Sequence, residues 1–363
     1  MPASISSRDI ARIIRLDTKN QKELFDKRIE KLSRNFNQTK KLFLRNKKAK
    51  AIDEWMFSSE DLPLFGKEYW WMLFTSTKKN SKDQLVATFG RSQGKVTVND
   101  SHIPPDPKNK ETNAAVVWAY KKGKKPIINS SAKVVLGENN LRLTSKSTEF
   151  LFQGKFPNYG IKIIKEGKTL CDLELYEPEG AHKPYEFSEY FKGVFGYQLL
   201  NLFLDFKGSL LGEPIEGKVL LQKVIGIGPF IPWKWGRIVF SNGSFLSFFR
   251  LRLGELGINY DFLSSLYFYN SKTNETCRFN NVKITEFCPE SPLWTVHSTN
   301  KCLVVAKTYS EEPFQLQARG KFRYLEYLSE VKELYLESGD EKIHLKDLGS
   351  GIGMLENATG YLL

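Results

Sequence analysis

Histidine and cysteine are scarce: the 363 residues include four of each. Cys171, Cys277, Cys288 and Cys302 lie far apart with no C-x-x-C pair. That excludes a disulfide scaffold and a zinc ribbon, and the four read as reduced core or surface thiols. His102, His182, His297 and His344 are as dispersed and have no ligand spacing, so no metal site is expected. No G-x-S-x-G, P-loop or G-x-G-x-x-G occurs in context, and no cofactor is called for. Gly349-Ser-Gly-Ile-Gly353 is glycine-rich, but no amphipathic helix follows it; it reads as a turn into the last strand. No stretch reaches the ~18 apolar residues that a membrane-spanning helix needs. No apolar leader follows Met1, since Arg8, Asp9, Arg12 and Arg15 come too soon. The expected location is cytoplasmic, with a peripheral membrane contact left open.

Charge is abundant but unevenly placed. Residues 1–50 hold 15 Lys/Arg against 5 Asp/Glu, and the remainder of the chain holds 39 against 36. The body is nearly neutral and the basic character belongs to an N-terminal extension. Phe25, Ile29, Leu32 and Phe36 step at helical spacing, which predicts an amphipathic helix within residues 7–48. Two readings stand side by side: a helix docked on the body with a solvated basic face, or one lying on an anionic membrane surface. No specific nucleic-acid partner is expected from a basic arm on a neutral body.

From residue 51 onward, strand-like runs alternate with Gly/Asn/Lys turns at 10–15-residue spacing, the pattern of an antiparallel meander. Residues 181–192 read as an irregular loop. The clearest hairpin has Trp233–Phe240 as one strand, Asn242-Gly243 as a two-residue type I′ turn, and Phe245 to Leu253 as the return. Short strands follow, among them 301–306, 315–318, 322–327 and 331–336. The count is near eight strands per half, enough for a small closed barrel with a ligand cavity in each. The expected fold is all-β: two tandem antiparallel barrels, at 51–228 and 229–363, behind a helical extension over 1–50.

Four landmarks carry a family resemblance. They are Asp53-Glu54-Trp55-Met56-Phe57; Trp233-Lys234-Trp235 with the Asn242-Gly243 hairpin and Phe249-Arg250-Leu251-Arg252; Tyr324-Leu325-Glu326-Tyr327; and Gly351-Ile-Gly-Met-Leu-Glu356-Asn-Ala-Thr-Gly360-Tyr361. In this order over residues 53–361, they resemble the tandem lipocalin-like family of hydroxyneurosporene synthase (carotenoid 1,2-hydratase) and AttH-type proteins. The resemblance implies two lipocalin-like barrels with an apolar ligand cavity. It also implies either binding of a lipophilic molecule or hydratase, cyclase or isomerase activity on an unsaturated terpenoid or lipid.

Protonating a C=C bond requires an acid in an apolar site. The stretch from Gly217 to Gly254 contains no Asp, Glu or His and offers Lys223 and Lys234 instead. A lysine desolvated enough to matter loses its proton and is a poor acid toward an alkene. The leading expectation is therefore binding of an isoprenoid, fatty acyl chain or other lipid. The alternatives are an enzyme of the same family and a non-catalytic protein-interaction scaffold.

The candidate ligand-binding residues are Trp55, Lys223, Trp233, Lys234, Trp235, Tyr324, Glu326 and Glu356. On a strand, Lys234 shares a face with Gly236, Ile238 and Phe240, and Trp233 and Trp235 face the other way with Arg237 and Val239. Lys234 either snorkels to solvent or anchors an acidic head group. The tryptophans either pack between the barrels or line a cavity. Glu326 and Glu356 sit among apolar neighbours, as structural partners or as functional acids. Asp53 and Glu54, adjacent on a predicted strand, face opposite ways and are not a catalytic pair.

Overall fold

A computed structural model describes residues 51–362 except 59–60, 64, 100, 109, 124–126, 132, 146, 179–184, 193–194, 229–231, 253–263, 288–291, 299–300, 319 and 339. The predicted helix within 7–48 lies outside the described residues. In chain order, the first half contains helix α1 (Ile52–Phe57) and strands β1 (Gly66–Ser76), β2 (Gln84–Gln93), β3 (Val96–Val98), β4 (Ser101–Ile103), β5 (Glu111–Tyr120), β6 (Ile127–Ser131), β7 (Lys133–Gly137), β8 (Asn140–Thr144), β9 (Thr148–Lys155), β10 (Asn158–Lys165), β11 (Lys168–Tyr176), β12 (Tyr185–Lys192), β13 (Phe195–Leu210) and β14 (Glu213–Ile227). The second contains β15 (Trp233–Phe240), β16 (Phe245–Leu251), β17 (Ser265–Asn270), β18 (Glu275–Asn280), β19 (Lys283–Phe287), β20 (Leu293–Ser298), β21 (Cys302–Ala318), β22 (Gly320–Ser338), β23 (Glu341–His344), helix α2 (Leu345–Leu348) and β24 (Gly351–Leu362). The chain is all-β, and every strand pair is antiparallel.

Among the described residues the strands form two 12-stranded sheets rather than two sets of eight. The first runs β6-β5-β2-β1-β14-β13-β11-β10-β9-β8-β7, with β12 beside β13. Its two outermost strands, β6 and β7, are separated by one residue in sequence. Two peptide units reach at most about 7.6 Å, so the sheet must curl until its ends meet. The second sheet runs β18-β17-β16-β15-β24-β22-β21-β20-β19. Its ends, β18 and β19, are two residues apart, and the same short tether rolls it up.

Period-two patterning fills each roll. In β11, Cys171, Leu173 and Leu175 are buried while Asp172 and Glu174 are exposed. Facing residues such as Phe74, Phe89, Phe150, Phe152 and Phe206 complete the first core. Ile238, Phe240, Leu246, Phe248, Phe268 and Trp294 build the second. On β15, a Cβ at Gly236 would run into the Phe248 ring and approach Leu355 to 2.7 Å, so the second core closes over bare backbone there. A third apolar cluster joins the outer faces: Trp71, Leu73, Val86, Trp118 and Leu220 of the first sheet meet Phe314, Leu328 and Met354 of the second. The β3–β4 hairpin also crosses over and pairs with β21 at Val98↔Leu316 and Thr97↔Gln317.

Four local expectations are corrected. Asp53 and Glu54 lie on a helix, not a strand. Six residues cannot sustain a helix alone. This one is held by burial of Trp55, Met56 and Phe57, by the Asp53 carboxylate accepting the Phe156 N–H at 2.9 Å and the Tyr159 hydroxyl at 2.7 Å, and by the Trp70 indole donating to the Met56 carbonyl at 2.9 Å. Residues 185–192 form β12, because β11 stops at Tyr176 and leaves the first half of β13 unpaired on that side. The Asn242-Gly243 turn is not type I′: only Gly243 has positive φ, at 89°. Phe240 N–H donates to Ser244 O at 2.8 Å, closing a three-residue loop, and Asn242 Oδ1 accepts the Ser244 N–H at 2.9 Å. That side-chain bond favours a type I turn followed by a left-handed glycine. Finally, the short strands expected over 301–336 are pieces of one hairpin of 17- and 19-residue strands, bent by register shifts at Val305/Ala306 and Thr308/Ser310.

Candidate functional site

The alternation of β15 decides where its side chains go. Ile238 and Phe240 enter the second core, so Lys234 and Gly236 share that inner face. Trp233, Trp235, Arg237 and Val239 look toward the first sheet. Trp235 meets Trp71 edge-on, with ring centroids 5.2 Å apart and planes at 90°. The inter-sheet seam therefore contains polar groups that packing has removed from water.

The most unusual are two carboxyls. Glu326 on β22 and Glu356 on β24 are directly opposite each other and point into the seam, 7% and 8% exposed. Like charges directly opposite on neighbouring strands destabilise a sheet. Trp118 of the first sheet donates its indole N–H to Glu326 Oε2 at 2.6 Å, and Trp233 donates to Glu356 Oε2 at 2.9 Å. Desolvation lifts Glu356 from 4.5 to about 7, against the Trp233 hydrogen bond. Desolvation and then the neighbouring Glu356 charge lift Glu326 well above 4.5, against the Trp118 hydrogen bond. Tyr324 and Tyr69 border the pair; burial and then Glu356 raise Tyr69, and burial, then Tyr69, then Glu356 and Glu326 raise Tyr324. The seam thus holds a carboxyl proton near neutral pH among aromatic rings, a group that can donate a hydrogen bond or a proton to an apolar molecule.

This gathers Trp233, Tyr324, Glu326 and Glu356 in one place, with Trp235 beside them on the same strand face. Tyr69 and Trp118 are absent from the sequence-derived candidates. They come from β1 and β5, in the other half of the chain from Glu326, and no local motif marks them. The stretch without acids, 217–254, still obtains carboxyls, because β24 pairs with β15 and sets Glu356 opposite Trp235.

Trp55 and Lys223 lie elsewhere. Lys223 is 0% exposed. Its ammonium donates to the carbonyls of Trp55 at 2.7 Å and Ser58 at 2.6 Å and pairs with Glu68 at 2.9 Å, over the faces of Trp70 and Trp55. Glu68 also meets Arg91 at 2.5 Å, and Arg91 meets Glu111 at 2.8 Å. Glu111 accepts the Leu62 N–H at 3.0 Å. Two hydrogen bonds and an ion pair thus hold the ammonium within the chain. Lys223 clamps the α1 segment across the first sheet, a placement at odds with an exposed head-group anchor. Lys234 does not snorkel into solvent either. It lies 3.4 Å from Glu286, over the Trp294 ring, and Glu286 also accepts from Tyr327 at 2.9 Å and Asn357 at 2.6 Å.

Farther along the seam is a cleft of about 620 Å³ between the two sheets. Phe203 of β13 and Lys218 of β14 form one side; Arg237, Phe245 and Tyr269 form the other. Phe203 and Phe245 stack at 5.7 Å and 12°. Arg237, 4% exposed, lies against both rings, 3.5 Å from the centroid of Phe245 and 5.1 Å from that of Phe203. Burial lowers its pKa to about 9, opposed by Tyr267 and Glu186. The cleft thus has an apolar patch of Phe203, Leu204, Val219 and Phe245 beside the buried Arg237, and a polar remainder that includes Lys218, Lys272, Asp205 and Asp347.

Among the described residues, no group of three or more His, Cys, Asp or Glu side chains is arranged to hold a metal ion. No described helix is long and apolar enough to cross a membrane. No protein-family model matches the chain, and no curated protein sequence matches it. Among solved structures it is similar to the crystal structure of CghA with Sch210972, at 8% identity and a TM-score of 0.44, over 81% of this chain and 88% of that one.

Proposed function

We propose that this protein binds a lipophilic small molecule, such as an isoprenoid, a fatty acyl chain or another lipid, in the cleft between its two sheets. The observation that carries the reading is the cleft itself. Its volume, about 620 Å³, suits a ligand of drug or lipid size, and its apolar patch of Phe203, Leu204, Val219 and Phe245 adjoins polar groups, the mix that an amphipathic molecule matches. The described interiors of both sheets are filled by their own side chains, which favours the seam over a barrel interior. Native mass spectrometry of the purified protein, followed by organic extraction, is expected to show one dominant lipophilic species released from the folded chain. Folded protein that yields a clean extract and also takes up no dodecanol on titration would sink the reading.

A second reading, acid catalysis on an unsaturated lipid or terpenoid, is favoured by the Glu326–Glu356 pair. A carboxyl kept protonated among aromatic rings is the donor that alkene protonation requires. Incubation with geranylgeraniol in deuterated water is expected to place deuterium on carbon in the product, and Glu356→Gln is expected to slow this at least about 100-fold. Recovery of the unlabelled alcohol alone would leave the pair with a purely structural role.

A further inference from the structure

We propose that Arg237 makes the cleft selective for amphipathic acids, pairing its guanidinium with the carboxylate or phosphate head group of the bound molecule while the apolar patch of Phe203, Leu204, Val219 and Phe245 takes the tail. The inference rests on the proposed binding of a lipophilic molecule and adds the chemistry of its head group.

Three observations point this way. First, Arg237 is buried, yet no carboxylate lies within ion-pair distance of it among the described residues. Its one hydrogen bond there joins Nη1 to Ser247 Oγ at 2.9 Å, and its Nε has no partner. A guanidinium carries five N–H donors. A buried charge without a counter-charge is costly to hold, and proteins ordinarily pair it. Three other cations withdrawn from solvent do have carboxylates: Arg91 has Glu68 and Glu111, Lys121 has Asp83, and Lys223 has Glu68. A fourth, Lys67, donates to the carbonyls of Phe65 and Gly228.

Second, Arg237 lines the cleft. The carboxylate on the facing strand, Asp205, is ion-paired with Lys218 at 2.5 Å. The cleft's other acid, Asp347, accepts the backbone N–H of His344 at 2.8 Å at the start of α2. Neither supplies a counter-charge to the guanidinium.

Third, Phe203 and Phe245 hold the guanidinium in place. Their faces stabilise a cation electrostatically but offer no hydrogen-bond acceptor along the guanidinium edge. An oxyanion in the cleft would supply both the missing charge and the acceptor for Nε, in the geometry that suits arginine better than lysine. The apolar surface beside it would take an acyl or isoprenoid chain. Arg237 is opposite Met354 on β24, two residues from Glu356, about 7 Å along the strand, so the head-group site and the acid pair are neighbours on the seam.

The test uses three probes with one tail: dodecanoate, dodecyl phosphate and dodecanol, each titrated calorimetrically into the full chain. Dodecanoate or dodecyl phosphate is expected to bind about thirty-fold tighter than dodecanol. The tighter of the two tells a carboxylate site from a phosphate site. Arg237→Met is expected to bring the acid down to dodecanol's affinity and leave dodecanol unchanged, which also shows that the cleft is still formed. Arg237→Lys is expected to fall between, keeping the charge but losing the fork. Equal binding of acids and alcohol by the unaltered protein would overturn the head-group inference while leaving lipophilic binding intact. Acid affinity unchanged in Arg237→Met would do the same. Failure of all three probes to bind the unaltered protein would overturn both readings. Should Arg237→Met fail to fold, the acid-to-alcohol ratio of the unaltered protein, with Arg237→Lys beside it, still decides.

Discussion

Lys223→Ala is expected to lower the unfolding free energy by about 3–5 kcal/mol, measured by urea denaturation. The magnitude follows from what the substitution leaves behind. Glu68, Glu111, Arg91 and Lys223 form a buried set of two negative and two positive groups. Removing the ammonium leaves one carboxylate charge uncompensated and strips the carbonyls of Trp55 and Ser58 of their donor. The α1 segment loses its clamp to the first sheet. Adding Glu68→Gln to Lys223→Ala is expected to restore part of the loss, because the set regains neutrality, and the double-mutant cycle should show coupling above about 1.5 kcal/mol. Dodecanoate affinity of the folded fraction should stay as it was, since the cleft lies elsewhere. An unfolding free energy within about 1 kcal/mol of the unaltered protein would mean that the network carries no weight.

The second large effect has the opposite sign. Glu356→Gln is expected to stabilise the protein at pH 8 by about 3 kcal/mol. Below pH 4.5 the carboxyl is protonated in both folded and unfolded chains, and its burial adds no dependence on pH. As pH rises from 4.5 toward about 7, the unfolded chain ionises while the folded carboxyl keeps its proton. Stability therefore falls through that window and stays lower above it. The interval corresponds to the stated free energy at about 1.4 kcal/mol per pH unit. Glutamine retains an acceptor for the Trp233 N–H and removes the ionisation. Glu326→Gln should act in the same direction, and the pair should not be additive, since the two carboxyls share one protonation equilibrium. Thermal unfolding from pH 5 to 8 checks this: the unaltered protein should lose stability across the range, and each variant should show a flatter profile. Parallel profiles would show that the carboxyls titrate as exposed ones do.

Much of the fold could be read locally because period-two patterning and turn residues are local signals. The alternation of Trp233 to Phe240 divides the side chains of β15 into two faces, and the folded chain keeps that division, with Ile238 and Phe240 in the second core. The environment of Lys234 was not legible, because its partner Glu286 sits on β19, and nothing around Lys234 marks it. The same holds for Lys223, whose carbonyl partners lie in and just after a short helix that has the composition of a strand. Alternation was also present in Tyr185-Glu186-Phe187-Ser188, but Gly180 and Pro184 just ahead of it gave the segment the look of a loop. The acid pair was half legible. Each glutamate stood out among apolar neighbours, but their direct opposition depends on β22 and β24 being paired in register, with β23 and α2 between them in sequence. The cleft was not legible at all, since it arises from the relation between two sheets.

The position of β24 has a consequence for how the chain is made. In the second sheet this strand lies between β15 and β22, both of which precede it. While residues 351–362 are still inside the ribosome, β15 and β22 each present an open edge ready to pair with another chain. Elongation at roughly 5–20 residues per second leaves that vulnerable interval open for seconds. The strand that ends it also brings Glu356 to Glu326, so the sheet and the acid pair are completed in one late event. Ribosome-bound chains halted before residue 351 should therefore be the species that chaperones capture, and emergence of β24 should be the moment at which they let go.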